Sequence, residues 1–143
     1  MFAITNKNKI MRGRVFKMKS IVVIRREGKV LHDQAQWLSI EDINFTEPEK
    51  IRGKIRTVLH TDKGQFVYCT TNDQIVELIS QEAGFFVTDR GRMANLSKDI
   101  VIDYDARKIF YRQCKSFVTI AASKLKILKQ YMRNYRMINK ENI

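Results

Sequence analysis

Residues that could support catalysis or metal binding are few and scattered along this chain. The two cysteines, Cys69 and Cys114, are far apart, and so are the two histidines, His32 and His60. Because a zinc site needs such ligands at close spacing, the sequence predicts no metal site and no cofactor. Both cysteines are expected to be reduced thiols on strands, where Cys behaves as a small hydrophobic residue.

Asp103 and Asp105 form a carboxylate pair that a hydrolytic enzyme could use as a general base or as metal ligands. The pair lies where a hairpin turn needs Asp side chains for local hydrogen bonds, and turn chemistry explains it better. The sequence also has no Gly-rich phosphate loop, no nucleophile elbow and no HExxH motif. It therefore predicts a protein that is not an enzyme.

Positive charge is concentrated at the two ends of the sequence. The formal net charge is +12; residues 1–29 carry nine Lys or Arg against one Glu, residues 106–143 carry ten against one Glu, and residues 30–105 carry eight against thirteen Asp or Glu. Each cation that neutralises a phosphate releases a condensed counterion, so such a chain attracts polyanions. The distribution favours a nucleic-acid partner, although a basic surface can also serve solubility alone.

The C-terminal segment 123–139 has the spacing of an amphipathic helix, with Ser123 as the expected N-cap. Its apolar stripe consists of Leu125, Leu128, Met132 and Tyr135, and a basic stripe one residue later consists of Lys126, Lys129, Arg133, Arg136 and Lys140. The basic stripe could contact phosphates, lie on an anionic membrane surface or face solvent, and the pattern leaves these alternatives open.

The length of 143 residues predicts one domain with a single modest core. No apolar run approaches the roughly 20 residues of a membrane-spanning helix, so no membrane insertion is expected. The basic N-terminus is not followed by a long apolar block, so it does not have the pattern of a secretory signal. A cytoplasmic location is therefore the expectation.

The first half of the chain predicts a basic arm and then hairpins. Residues 1–17 lack periodicity and are expected to be a mobile arm or a peripheral strand. Pro48 is expected in a loop over residues 47–54, where its missing N–H breaks no strand ladder. The predicted strands are residues 20–25 and 29–31, a strand, polar turn and strand start over 37–45, and a hairpin of 54–61 with 65–70.

The second half predicts one short internal helix over residues 72–81, more hairpins and the terminal helix. Its predicted strands are 85–87, 93–96, 100–104, 108–112 and 117–121. The fold class is therefore mainly β. The chain divides into the arm at 1–17, a domain at 18–128 and a helix extension at 129–143.

Residues 84–111 (GFFVTDRGRMANLSKDIVIDYDARKIFY) combine an aromatic pair, a short basic turn, a stop at Asn95 and Leu96, and strands around an Asp-rich turn. This segment resembles the LytTR family of DNA-binding domains, and the similarity extends over about residues 38–128. The resemblance implies antiparallel β-sheets whose loops, in place of a recognition helix, insert into the DNA grooves. It also implies a sequence-specific transcriptional regulator of double-stranded DNA, reading direct repeats in promoters through the major groove. Family members are usually fused to a phosphoacceptor receiver or to membrane segments, and 143 residues leave room for neither, so a stand-alone regulator is expected.

The resemblance also implies the residues that contact DNA. The main base-reading loop falls on Asp89, Arg90 and Gly91, with Arg92 as a compensating cation because Val87 stands where the family often has Arg. The second loop gives Lys54 and Arg56 as candidates. The third falls on Ser123 or Lys124, and the basic helix adds Lys126 and Lys129. Asn95 is expected to satisfy backbone groups and not to touch a base.

Partners beyond DNA follow from the same resemblance. Repeated half-sites make a homodimer a candidate assembly, and a separate regulatory protein is a second candidate. An RNA-binding or ribosome-associated basic module is the alternative function, since aromatic residues on strands could stack on bases. The aromatic residues concerned are Phe66, Tyr68, Phe110 and Tyr111.

Overall fold

The computed structural model describes residues 8–11, 14–17, 19–68, 72–82 and 84–141, and the side chains of residues 19–68, 74–82 and 84–134. Over these residues the chain is mainly β, as predicted. The strands are β1 Asn8–Met11, β2 Arg14–Lys17, β3 Ser20–Glu27, β4 Val30–Ser39, β5 Ile43–Ile51, β6 Lys54–Thr61, β7 Gly64–Tyr68, β8 Phe85–Asp89, β9 Arg92–Asn95, β10 Ile100–Asp103, β11 Lys108–Tyr111 and β12 Phe117–Thr119. The helices are α1 Asn72–Ser80 and α2 Leu125–Glu141, with 3-10 turns at Ile40–Asp42 and Ala122–Lys124.

The largest sheet has seven strands in the order β4-β3-β7-β6-β5-β9-β8, and the pairings within it are antiparallel. A second antiparallel sheet has the order β10-β11-β12, and β1 pairs with β2 in a two-stranded ribbon. The predicted hairpins therefore form, and the long-range pairing of β5 with β9 joins the two halves of the chain.

The two faces of the seven-stranded sheet carry two different cores, because alternate side chains of a strand point to opposite faces. On one face, α1 covers a cluster that includes Leu59, Phe66 and Met93, and it inserts Ile75 and Ile79. These five side chains are at most 4% exposed.

The other face packs against the three-stranded sheet and α2. This second cluster joins Phe45 and Ala94 of the large sheet to Ile109 and Val118 of the small one and to Leu128 of α2. Tyr131 of α2 also packs here, with its ring 5.9 Å from that of Phe86. Helix α2 runs without a break from Leu125 to Glu141.

Two strand predictions were wrong in extent. Residues 32–36 were expected to separate two strands, but β4 runs unbroken from Val30 to Ser39. It is an edge strand whose residues 32–37 are all exposed, so the apolar alternation that normally marks a strand is absent.

The loop predicted around Pro48 is also wrong, because Pro48 lies within β5 opposite Thr57 of β6. The pairs that join β5 to β9 involve Phe45 and Thr46 only. At Pro48 the strand is therefore bonded on one side, as an edge strand is, and a missing N–H is tolerated.

The N-terminal arm contains a short hairpin, with Met11 opposite Arg14. This fits the peripheral-strand alternative for residues 8–11 and 14–17, while residues 1–7, 12 and 13 lie outside the described chain.

Candidate nucleic-acid interface

The turn between β8 and β9 presents Arg90 to solvent. Asp89 pairs with Arg92, so Arg90 and Gly91 alone form the tip of this hairpin. Gly91 has φ 74°, and the Asp89 carboxylate accepts a hydrogen bond from the Arg90 backbone N–H at 2.7 Å. Within the described part of the chain, the exposed Arg90 guanidinium has no hydrogen bond or ion pair. Its donors are therefore available to a ligand.

Arg92 lies in a different environment from Arg90. It lines a cleft of about 380 Å³ between the large sheet and the small one. The cleft is also lined by Phe45, Glu47, His60, Lys115, Ser116, Phe117 and Thr119. Arg92 is half-buried in this cleft, whereas Arg90 is fully outside it.

Glu47 and His60 form the polar floor of that cleft. The His60 ring stacks on Phe45 with a centroid distance of 4.1 Å, and its Nε2 lies 3.2 Å from the carboxylate of Glu47. The hydrogen bond from His60 lowers the pKa of Glu47; burial opposes this shift, and the charges of His60, Arg92 and Arg26 reinforce it. Part of the Arg92 charge is therefore balanced by Glu47 within the protein.

The Asn95 side chain hydrogen-bonds to backbone groups, as predicted. Its Nδ2 donates to the Ile43 carbonyl at 3.0 Å, and its Oδ1 accepts from the Ser97 N–H at 3.1 Å. Tyr111 donates its hydroxyl to the Asn95 carbonyl at 3.3 Å, and burial raises the pKa of that phenol. Asn95 is 1% exposed and ties the end of β9 to the start of β5.

One backbone hydrogen bond brings the third predicted contact region beside the Arg90 turn. The Ala121 N–H donates to the Thr88 carbonyl at 2.8 Å. Ser123 and Lys124 follow in the 3-10 turn Ala122–Lys124, whose N-cap is Ala121. The prediction of Ser123 as the N-cap of the terminal helix is therefore wrong, since α2 begins at Leu125 after this tighter turn.

The basic stripe of α2 is exposed as far as the side chains are described. Lys126, Lys129 and Arg133 face solvent, while Leu128 is fully buried. Lys129 places its Nζ 5.2 Å from the ring centre of Tyr104. The side chains of Arg136 and Lys140 lie outside the described residues.

The second predicted contact region, with the candidates Lys54 and Arg56, follows the turn between β5 and β6. Arg52 and Gly53 form the turn between β5 and β6, with φ 52° and 82°. Lys54 begins β6 and is exposed. Arg56 is half-buried, and its Nε is buried without a hydrogen-bond partner among the described residues, so Lys54 is the more accessible of the two candidates.

Strand register places these regions at one end of the fold. The start of β9 and the end of β5 lie at the same end of the sheet, because the two strands are antiparallel and paired through Thr46 and Met93. The hydrogen bond from Ala121 to Thr88 places the 3-10 turn at this same end. The Ile120 N–H donates to the Arg107 carbonyl at 2.9 Å, and this bond places the β10–β11 turn there too. We call this the basic end. It comprises the turns at residues 52–53, 90–91 and 104–107 and the segment Ala122–Lys124.

The sequence did not identify Arg52 and Arg107, two exposed residues of the basic end. The Arg-Gly pair at residues 52 and 53 repeats the pair at 90 and 91, and this repetition was a usable signal. Arg107 had no such signal because it lies in an acidic turn. There the Asp103 carboxylate accepts the Ala106 N–H at 3.0 Å, which confirms the turn role of Asp103.

The remaining residues of interest are possible metal ligands, apolar helices and the two cysteines. Among the residues whose placement is described, no cluster of His, Cys, Asp or Glu could hold a metal ion, and no helix is long and apolar enough to cross a membrane. Cys114 is a free, half-buried thiol in the connection from β11 to β12, so its predicted strand position was wrong. Cys69 lies outside the described residues.

The strand aromatics do not form a stacking surface. Phe66 and Tyr111 are 4% and 3% exposed and belong to opposite cores, and Tyr68 is half-buried against the first core. Phe110 alone of the four is exposed, beside Phe117. Three of the four aromatic rings that could have stacked on RNA bases are therefore not exposed for that role.

The geometry defines a mainly antiparallel β-protein that carries arginine in three turns at one end, at residues 52–53, 90–91 and 104–107. No protein-family model and no curated protein sequence matches the chain. Among solved structures, it is similar to the LytTr DNA-binding domain of a protein described as a methyl-accepting/DNA response regulator from Bacillus cereus. The TM-score is 0.56 at 14% identity, and the match covers 80% of this chain and 97% of that domain. The protein therefore has a LytTR-like fold.

Proposed function

We propose that this protein is a sequence-specific, double-stranded DNA-binding transcriptional regulator. The observation that carries the proposal is the basic end, where the Ala121–Thr88 hydrogen bond sets the exposed Arg90 beside the 3-10 turn that contains Lys124. The LytTR-like fold adds support, since the similar solved domain is described as DNA-binding.

Arg90 is the proposed base-reading residue. Its guanidinium can donate two hydrogen bonds to O6 and N7 of guanine, a contact that contributes about 1 to 3 kcal/mol of discrimination. The major groove, about 12 Å wide, can admit the two-residue tip of the β8–β9 hairpin. The hydrogen bond from the Arg90 N–H to Asp89 and the left-handed Gly91 would hold the tip in one conformation. This rigidity lowers the entropy cost of binding.

The other cations of this end are proposed to contact phosphates. Lys54 and Lys124 are near the tips of adjoining segments, and Lys126 and Lys129 extend from the same place along α2. Ser123 can donate its hydroxyl to a phosphate oxygen. These contacts would supply affinity without sequence information, and they would weaken as salt rises.

Assembly on promoter DNA is part of the same proposal. One copy of the chain would occupy each of two direct repeats, either as a homodimer or with a separate regulatory protein that sets its activity. The proposed site of action is the cytoplasm, where bacterial-type promoters are transcribed.

The test is selection of bound sequences from a random duplex DNA pool at near-physiological salt, with structured RNA as competitor. Enrichment of a short motif, repeated at about 10 base pairs, would support a regulator that reads neighbouring half-sites. Absence of any enriched motif, or preference for the RNA, would overturn the proposal.

A variant pair sharpens the selection. Arg90→Ala should no longer enrich the wild-type motif. Lys63→Ala, which removes an exposed cation from the β6–β7 turn at the opposite end of the sheet, should enrich it unchanged.

A further inference from the structure

A second cleft, of about 280 Å³, lies beside the turn between β6 and β7, at the other end of β6 from the basic end. It is lined by that turn, by residues 36–39 of β4 and by Lys98 of the connection between β9 and β10. Ligand pockets usually have volumes of about 300 to 1,000 Å³. The cleft is therefore suited to a small ligand with a single ring.

Three apolar side chains form one wall of this cleft. Leu38 and Phe66 are 7% and 4% exposed and belong to the first core, whereas Trp37 is 69% exposed. An indole ring at the mouth of a cleft offers a flat apolar surface against which another apolar group can pack. The wall therefore favours a ligand with an apolar body.

Ser39 adds a buried polar group to the cleft. The residue is 1% exposed, and its Oγ has no hydrogen-bond partner among the described residues. A buried hydroxyl without a partner raises the free energy of the folded protein. A ligand oxygen that accepted the Ser39 hydrogen bond would remove this penalty.

Arg25 is held in position at the cleft. Its Nη2 donates to the Lys63 carbonyl at 2.8 Å, and its guanidinium lies 5.4 Å from the centre of the Phe66 ring. Gly64 leaves room for this arrangement, because a Cβ there would lie 3.0 Å from Arg25 Nη2. The exposed Glu27 carboxylate, 3.6 Å from Arg25 Nε, offsets part of the charge. The guanidinium is therefore fixed before a ligand binds, which lowers the entropy cost of binding.

The charges that line the cleft favour a ligand with one negative charge. Three cations and two carboxylates give a sum of +1, and the two carboxylates would repel a ligand with more negative charge. The amines of Lys63 and Lys98 have no hydrogen bond or ion pair among the described residues, so they are available to an anion. The five charged residues are Arg25, Asp42, Asp62, Lys63 and Lys98.

We propose that this cleft binds a small monocarboxylate with an apolar body. The body packs against Trp37, and the carboxylate accepts a hydrogen bond from Ser39 Oγ and pairs with the cations. The inference goes beyond the proposed function and does not depend on it, because no described residue that lines the cleft belongs to the basic end. Binding can therefore be measured on the protein without DNA.

The test is titration of the full chain with phenylacetate, with its neutral amide phenylacetamide and with the zwitterion phenylalanine. Trp37 is the only tryptophan of the chain, so its fluorescence reports on the cleft directly, and calorimetry gives a second reading. Phenylacetate should bind saturably with a Kd of about 0.1 to 1 mM, as expected for so small a ligand. The other two should bind roughly tenfold more weakly, because neither carries a net negative charge.

Ser39→Ala tests the buried hydroxyl. It should weaken phenylacetate binding roughly tenfold and leave the midpoint temperature of unfolding unchanged or higher, because the hydroxyl that it removes has no partner in the described chain. Thr46→Val is the matched control. The Thr46 hydroxyl is also buried without a partner among these residues, but Thr46 does not line the cleft, so binding should stay unchanged.

Lys98→Met tests the charge. It should weaken phenylacetate binding roughly fivefold and leave phenylacetamide binding unchanged, because only the carboxylate is attracted to the ammonium group. Lys29→Met removes an exposed cation from the β3–β4 turn, outside the cleft, and should affect neither ligand.

The outcomes decide between the parts of the inference. Equal affinity for phenylacetate and phenylacetamide, or tighter binding of phenylalanine, would overturn the monocarboxylate as the ligand class. Unchanged binding in Ser39→Ala, or no saturable binding of phenylacetate far above the expected Kd, would overturn the site. The proposed function depends on the DNA selection alone, so none of these results would affect it.

Discussion

Arg26 of β3 forms a two-point ion pair with Glu49 of β5, although β7 and β6 lie between these strands in the sheet. The Arg26 guanidinium also donates to Gln65. In the strand register, Arg26 lies level with Gln65 and Glu49 lies level with Arg56. Val67 and Val58, which are at most 1% exposed, lie between these two levels. The stem of Arg26 therefore covers apolar surface while its head group crosses the sheet.

Glu49→Gln should destabilise the fold because it leaves the Arg26 side chain, only 10% exposed, with Gln65 as its remaining partner. Since Glu49 is 42% exposed, we expect a loss of about 1 to 2 kcal/mol in the free energy of unfolding, less than for a fully buried pair. Urea denaturation measures this loss in the free energy of unfolding. Glu41→Gln, at an exposed carboxylate without an ion pair in the described region, is the control. Equal stability of the two variants would show that the Arg26 pair contributes nothing.

Glu47 should make the stability of the protein depend on pH in the acid range. Its pKa is lowered in the folded state, first by the hydrogen bond from His60, so the folded protein binds the proton less readily than the unfolded chain. The stabilisation is therefore present above the ordinary pKa of 4.5 and is lost as pH falls below it through the folded value. Urea denaturation at several pH values should show a shallower acid decline for Glu47→Gln than for the wild type. Parallel curves would contradict this prediction.

Arg90→Ala and Arg92→Ala should have different effects, although the two arginines are two residues apart. Arg90→Ala should reduce the preference for the selected motif over random duplex by about 1 to 3 kcal/mol and leave unfolding unchanged. Arg92→Ala should reduce stability and raise the pKa of Glu47, since Arg92 helps to hold that pKa low. Competition binding and denaturation of both variants test the division. If both variants lost motif preference equally without a change in stability, Arg92 would be a direct DNA contact.

Leu128→Ala should loosen α2 from the fold. Leu128 is fully buried in the second core, and truncating such a side chain typically costs about 2 to 5 kcal/mol. Ile127→Ala is a control in the same turn of the same helix, because Ile127 is 55% exposed and should change stability by less than about 0.5 kcal/mol. Thermal unfolding compares them. Similar melting temperatures for the two variants would mean that α2 is not anchored through Leu128.

Local patterns predicted most of the fold. The turn containing Asp62 and Gly64, the helical spacing of Ile75 and Ile79 and the alternation around residues 100–111 each depend on nearby residues. The errors arose where contacts between distant parts of the sequence decide whether a segment forms a strand. Pro48 is compatible with a strand because β9 stops pairing with β5 before it, and β4 is continuous because an edge strand needs no buried alternation.

The candidate site was predictable as separate pieces and not as a surface. Arg90 became a candidate through the resemblance of its segment to a known family, but its proximity to Lys124 depends on the hydrogen bond between Ala121 and Thr88, more than thirty residues apart in sequence. The split between Arg90 and Arg92 likewise depends on the cleft that β12 forms against β5 and β6. Arg52 was not predicted as a candidate because residues 47–54 were expected to form a loop and not the end of the β5–β6 hairpin.

The tip of the β8–β9 hairpin has only two residues, Arg90 and Gly91, and neither belongs to the two hydrophobic cores. Substitutions of Arg90 are therefore nearly free of the constraint that folding imposes on the strands beside it. Under the proposed function, a single codon change at Arg90 would give descendants of this chain a new target preference, while the fold that carries the turn would stay the same.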